Sequence, residues 1–341
     1  MISKLKSQPW LWMSVRVLLS ALVVGMILHY VPLGQLWAAL GRLPPTLWFA
    51  VLGAYLLAQT VGMLKWRMMV NLAGADLSYV QAARCYFGGM FSTLFLPSAV
   101  GGDVVRMSLA MREARSVTGA ALASLLDRLI DFAALALLAG AGVILLDGAI
   151  SPTSKHVLWS VAGVALLAAI AGLAAIAFLP ARRFPLRVRR LIVQLRQSWK
   201  AVLAQPRYVA LALLLGVAVQ GSFVLLSKFV ADFCGLHVPM QGWLLAWPLA
   251  KLSALVPLTQ GGIGVREVAL VALLTPFGAQ PVLTVAVGFV WETIIVGSSL
   301  VAGLLSFVLR RVRTADDAPR GPRLRRPLNP RARMVLREGH D

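Results

Sequence analysis

An all-α polytopic membrane bundle, with two re-entrant hairpins in an inverted-topology repeat, is the fold class the sequence predicts. Three observations predict it: a surplus of apolar residues, several apolar runs long enough to cross a bilayer, and a motif that recurs 160 residues along the chain. Of 341 residues, 59% are hydrophobic and only 13% charged. A soluble domain carries about a quarter charged residues. A single soluble core cannot hide that much apolar surface, whereas hydrocarbon can.

The runs at roughly 11–31, 45–64, 118–146, 157–179, 208–230 and 281–309 reach the length of a full span, about 20 residues. The first follows Lys4, Lys6 and Arg16, as a signal peptide would, but has no Ala-x-Ala cleavage site. It reads as an uncleaved helix. Two shorter runs, 81–97 and 242–258, each lead into a proline and a glycine pair. Lys65 and Arg67, just after the second run, are expected to anchor at the membrane interface. Trp residues near span ends suit interfacial belts.

The net charge is +20. Its placement argues for a membrane and against nucleic acid. Arg182 to Arg207 holds eight basic residues and no acid, and Arg310 to Asp341 holds ten Arg and four acids; both adjoin apolar runs. Lys and Arg gather in cytoplasmic loops, so both termini are expected on the cytoplasmic side of the inner membrane, with the basic segments near anionic headgroups. If the stretches around Lys65, around Arg106 to Arg115, and at 182–207 are all inside, then 81–97 must enter and turn back. The same parity makes 242–278 a second hairpin.

The hairpin breaks read LPSAVGGDVVR (96–106) and VPLTQGGIGVR (256–266), sharing Pro, Gly-Gly, Val and Arg in register. Repeat one is expected at about 45–146 and repeat two at about 208–306. The parity places them oppositely in the bilayer. Inverted repeats with interrupted helices are a transporter signature, with the substrate site at their interface. Pro97 and Pro257 end helices, while Gly101, Gly102, Gly261 and Gly262 allow unusual backbone. A break in lipid persists only beside protein or a wet cavity. The helix after each break aims N–H groups at that cavity, where they favour an anion. Arg106 and Arg266 are expected to add phosphate contacts, with Asp103 and Glu267 beside them.

The intramembrane charges complete the candidate site. Asp127 and Asp131 share a helix face, and Arg128 and Asp131 are spaced to pair. Glu292 lies mid-run, where an ionisable group is costly and usually functional; it approximately matches Asp131 in the other repeat and has Arg266 or Lys251 as partner. On a helix, Arg266 and Glu267 should diverge. Lys251 either faces the cavity or snorkels. The four His residues lack zinc spacing, no P-loop occurs, and Cys85 and Cys234 form no framework; no catalytic residue, metal or cofactor is expected.

LPSAVGGDVVR (96–106), LLDRLID (125–131) and VPLTQGGIGVRE (256–267), with LKWRMM (64–69), resemble the transmembrane domain of lysylphosphatidylglycerol synthases and their stand-alone flippase-like relatives, over about residues 10–310. The resemblance implies a helical bundle with re-entrant segments that moves an aminoacylated phospholipid or another lipid between leaflets. Synthase members carry a separate soluble aminoacyl-transfer domain; here residues 311–341 are a basic tail expected to be disordered and cytoplasmic, after a transmembrane domain at 1–310. Ser98-Ala99 replaces the Gly-Arg common in relatives, removing one cation. The expected function is transport of a phospholipid, anionic or aminoacylated, or of a lipid-linked anion. The alternatives are a membrane enzyme of aminoacyl-phospholipid or lipid-linked glycan synthesis, or an accessory subunit that recruits a soluble partner through the tail.

Overall fold

The computed structural model describes residues 41–96, 99–146, 204–254 and 264–311, with isolated positions at 34, 38, 193, 197, 199, 200 and 202. The spans expected at 11–31 and 157–179, most of the basic 182–207 loop and the tail from 312 onward lie outside the described residues. So do Pro97, Ser98, Pro257, Gly261 and Gly262.

Every element among the described residues is helical, and the order is long, short, short, long, twice over. The first set is α1 (Pro45–Leu72), α2 (Tyr79–Ser92), α3 (Ala99–Glu113) and α4 (Val117–Leu145). The second is α5 (Pro206–Phe233), α6 (Met240–Ser253), α7 (Val265–Leu274), a 3₁₀ turn at Thr275–Phe277, and α8 (Pro281–Arg311). The four long helices are each apolar and long enough to cross a membrane, and the chain is an integral membrane protein. At 1.5 Å per residue the 14 residues of α2 and of α6 extend only about 21 Å, short of the roughly 30 Å of hydrocarbon.

The sequence punctuates the two sets alike. Pro45 and Pro206 occupy the first helical turn of α1 and α5, where a missing N–H costs nothing. Both helices end on a glycine in left-handed backbone, Gly74 at φ 84° and Gly235 at φ 88°. The residue after each glycine donates five positions back, Ala75 to Val70 and Leu236 to Ala231, which satisfies a terminal carbonyl. Then α2 opens on a capping box, Ser78 and Gln81 each accepting the other's backbone N–H, two otherwise unpaired donors satisfied.

Packing exchanges the sets. α1 lies along α5, α2 along α8, and α6 along α4; α1 and α5 each also pack against both α4 and α8. Swapping the first four helices for the second four turns each of these pairings into another of them. Small residues permit the closest approaches. A Cβ on Gly142 of α4 would meet the Leu245 backbone nitrogen of α6 at 2.7 Å, and one on Gly303 of α8 would overlap the Phe91 ring of α2.

Three expectations change. α1 continues eight residues past the expected end at 64, so Lys65 and Trp66 are buried inside the bundle. The apolar run stopped at Lys65, but a buried acid partner lets the helix carry a charge inward. Arg67 is half-buried, donating from Nε to the Leu77 carbonyl and lying over Tyr79. Four tryptophans, Trp66, Trp243, Trp247 and Trp291, pack in the interior rather than at the interface; Trp66 donates to Ser124 Oγ, and Trp247 sits edge-on to Trp291. Gly101 and Gly102 lie within α3 with no left-handed φ. They matter for space: a Cβ on Gly102 would meet Thr93 and, at 2.7 Å, the Gly89 carbonyl, so α2 and α3 touch backbone to backbone.

Candidate functional site

All eight described helices contribute residues to one cavity of about 340 Å³. Five cations line it, Lys65, Arg106, Arg128, Lys251 and Arg266, together with four carboxylates, Asp103, Asp127, Asp131 and Glu292. Charges at such depth are expensive unless paired. The way they are paired defines the site.

In the first set the charges close into a ring. Lys65 Nζ lies 2.9 Å from Asp127 and 2.5 Å from Asp131. Arg106 lies 3.3 Å from Asp127 and 3.3 Å from Asp103. Arg128 contacts Asp103 and, at 3.9 Å, Asp131. Three cations thus alternate with three carboxylates, and each ion meets two of opposite sign. The ring draws Lys65 from α1, Asp103 and Arg106 from α3, and the other three from one stretch of α4. The i,i+3 spacing of Arg128 and Asp131 closes its last side. Lys65 and Asp127 are 2% and 1% exposed, so water does little to screen them.

The second set holds a smaller cluster. Arg266 lies 2.7 Å from Glu292 and 2.9 Å from Glu267. The two neighbours in sequence do not diverge, because α7 begins at Gly264 and the first turn folds the Glu267 side chain back. Gly264, at φ 87°, donates its N–H to Glu267 Oε2 at 2.6 Å. Glu267 is fully buried and caps α7, a favourable place for negative charge. Of the second motif's glycines, Gly264 is therefore the described one that uses left-handed backbone.

The two clusters correspond at several positions. Arg106 sits 5.1 Å from the Tyr86 ring, and Arg266 sits 5.7 Å from the ring of Trp247, 161 residues on. Gln59 accepts from the Tyr86 hydroxyl, and Gln220, again 161 residues on, accepts from Lys251. Each arginine meets one acid on its own short helix, Asp103 or Glu267, and one on the following long helix, Asp127 or Glu292, so by its ion pair Glu292 answers to Asp127 rather than to Asp131. The extra 3₁₀ turn before α8 makes that helix begin four residues later than a constant offset of 160, which shifts the match by about one turn.

Gln59, Tyr86 and Gln220 belong to the cavity wall although the motifs do not contain them, and Lys65, expected at the membrane interface, joins them. The recurrence of Gln59 as Gln220 was a usable sequence signal; the inward position of Lys65 depends on α4 and had none. Among the described residues no group of three His, Cys, Asp or Glu side chains is placed to hold a metal. Several buried donors, Nε of Arg106, Arg128 and Arg266 and Oγ of Ser299, have no hydrogen-bond partner among the described residues. All four residues line the cavity.

No curated protein and no solved structure matches the chain. The family model described as the lysylphosphatidylglycerol synthase TM region does match, over residues 13–303, as the three motifs led one to expect. On that match the chain belongs to the lysylphosphatidylglycerol synthase transmembrane-region family.

Proposed function

We propose that the protein is an inner-membrane, flippase-like transporter that moves a phospholipid or a lipid-linked anion between leaflets, with both termini cytoplasmic. The observation that carries this reading is the cavity whose charged walls come from both sets of helices. Ionisable side chains inside a membrane are expensive and usually functional, so nine of them around one cavity suit a polar cargo. In this reading α2–α3 and α6–α7 are re-entrant hairpins, and the two sets form an inverted repeat. The exchange-symmetric packing and the short lengths of α2 and α6 support it.

The ring and the Arg266 cluster would then be two related gates. Each holds its helices together through ion pairs, and each can open only if a ligand replaces the lost partners. A headgroup with a phosphate, and with an amine where the lipid is aminoacylated, offers both signs of charge. Transport by this route requires no catalytic group.

Reconstitution is the direct test. Proteoliposomes with headgroup-labelled phosphatidylglycerol should expose inner-leaflet label to an external quencher faster than protein-free vesicles do. Arg266→Met should slow that exchange at least tenfold. Equal rates with and without protein overturn transport. An accessory or synthetic role predicts instead that deleting the gene removes a lipid species, which lipid mass spectrometry reads. A partner recruited by the basic tail predicts loss of function on removal of residues 311–341 with insertion intact.

Topology is separately testable. Asp76 and His237 follow α1 and α5 at matching places, and their side chains are 56% and 77% exposed. Single cysteines there should label from opposite faces, Asp76→Cys from the cytoplasm and His237→Cys from outside. Labelling from one face removes the inversion.

A further inference from the structure

Resting on the transport reading above, we propose that Lys251, rather than Arg106 or Arg266, takes the headgroup's anion, and that the anion is a lipid-borne phosphodiester monoanion. Every other cation of the cavity is already committed. Lys65, Arg106, Arg128 and Arg266 each lie against two carboxylates. An anion approaching any of them must first displace a buried acid, which leaves charge uncompensated in a place where that is costly.

Lys251 is held differently. Its ammonium donates to Gln220 Oε1 at 2.7 Å and lies 4.7 Å from the Phe223 ring centroid. No carboxylate among the described residues comes within 4.0 Å of it. Gln220 is itself 3% exposed, so a neutral amide fixes the ammonium at the cavity wall. An ammonium has three donors, and two remain for a ligand. A compact point charge on a flexible stem follows a moving phosphate, so the headgroup is held at Lys251 before either gate opens.

The charge balance favours the smaller charge. The ring is neutral, three against three; Arg266 with Glu267 and Glu292 carries one net negative charge, and Lys251 brings the set to neutral. A bound monoanion then leaves one uncompensated negative charge and a dianion two, which is costlier at this depth. A phosphodiester lipid suits Lys251 better than a phosphomonoester dianion.

The test uses the full chain in detergent, with tryptophan fluorescence reporting binding, since Trp247 and Trp291 pack beside Arg266 and Tyr55. The probes are dioctanoylphosphatidylglycerol, dioctanoylphosphatidic acid near pH 8, dioctanoylglycerol, and deacylated glycerophosphoglycerol. Phosphatidylglycerol should bind best. Lys251→Met should weaken it at least tenfold and leave dioctanoylglycerol unchanged, while Lys251→Arg keeps most of the affinity. Should Lys251→Met fail to fold, Gln220→Leu reports instead, with an expected loss of threefold or more. Unchanged phosphatidylglycerol binding by Lys251→Met, or by Gln220→Leu where it is the reporter, overturns the assignment. Phosphatidic acid binding as tightly as phosphatidylglycerol overturns the monoanion preference, and equal binding of glycerophosphoglycerol overturns the lipid. The vesicle assay separates the two readings: Lys251-dependent binding without transbilayer movement sinks transport and keeps the site, and movement with Lys251-independent binding does the reverse.

Discussion

Asp127 is the residue on which the first cluster turns. It is 1% exposed and lies against both Lys65 and Arg106. Its Oδ1 has Lys65 as a charge neighbour, yet receives no aligned hydrogen bond among the described residues. Removing it leaves two buried cations each with one acid fewer, and breaking a buried pair in this way costs about 3–5 kcal/mol. Asp127→Ala should therefore lower stability by about 3 kcal/mol, read as a large drop in thermal unfolding temperature in detergent. The double change Lys65→Met, Asp127→Leu should recover much of that loss, because it removes opposite charges together. A double variant no more stable than Asp127→Ala would show that the pair is not the reason. The acids and arginines of this cluster were legible in the sequence, since each sits in a motif or inside an apolar run where a charge stands out. Lys65 was not. It lies where an apolar run ends, which is also where an interface anchor lies, and only the acid face of α4 tells the two apart.

At the scale of the element, α7 shows how one backbone position fixes a functional side chain. Gly264 is left-handed, and its N–H meets the Glu267 carboxylate that also holds Arg266. A side chain at that φ costs about 1–2 kcal/mol. Gly264→Ala should therefore destabilise by about that amount and let the Arg266 guanidinium drift. Loss of protection in the first turn of α7 by hydrogen exchange, with α1 unchanged, is the expected readout; uniform loss across the bundle would mean global weakening instead. Glu267→Gln keeps the cap acceptor but removes the charge, so it should cost less stability than Glu267→Ala. The helix starts were readable to within a few residues where proline marked them, at Pro45, Pro206 and Pro281. The end of α1 was misplaced because hydropathy drops at Lys65 before the helix stops. The roles of Gly101 and Gly102 were misread for a related reason. A glycine that makes room for a neighbouring helix and a glycine that adopts unusual backbone look the same in one dimension.

At the scale of the molecule, the fold depends on the first short helix of each set packing against the last long helix of the other, α2 on α8 and α6 on α4. The repeated motif showed that two sets exist, but no local pattern shows that they trade partners, because that arises only when both are folded. The exchange can be fixed chemically. A Cβ placed on Gly88 of α2 lies 4.0 Å from the Ser306 Cβ of α8, inside the range a disulfide requires, about 3.5–4.5 Å. With Cys85 and Cys234 replaced by Ala, Gly88→Cys with Ser306→Cys should crosslink readily under mild oxidation, seen as a reducible band after cleavage between the sets. If the two sets move against one another during transport, that bond should suppress lipid movement in vesicles and reductant should restore it, while lipid binding at Lys251 persists. Failure to crosslink would remove the packing from which the charged cavity is built. Crosslinking with full transport would mean that α2 and α8 travel together, and that the opening lies instead between α4 and α6, where Gly142 meets the Leu245 backbone just as closely.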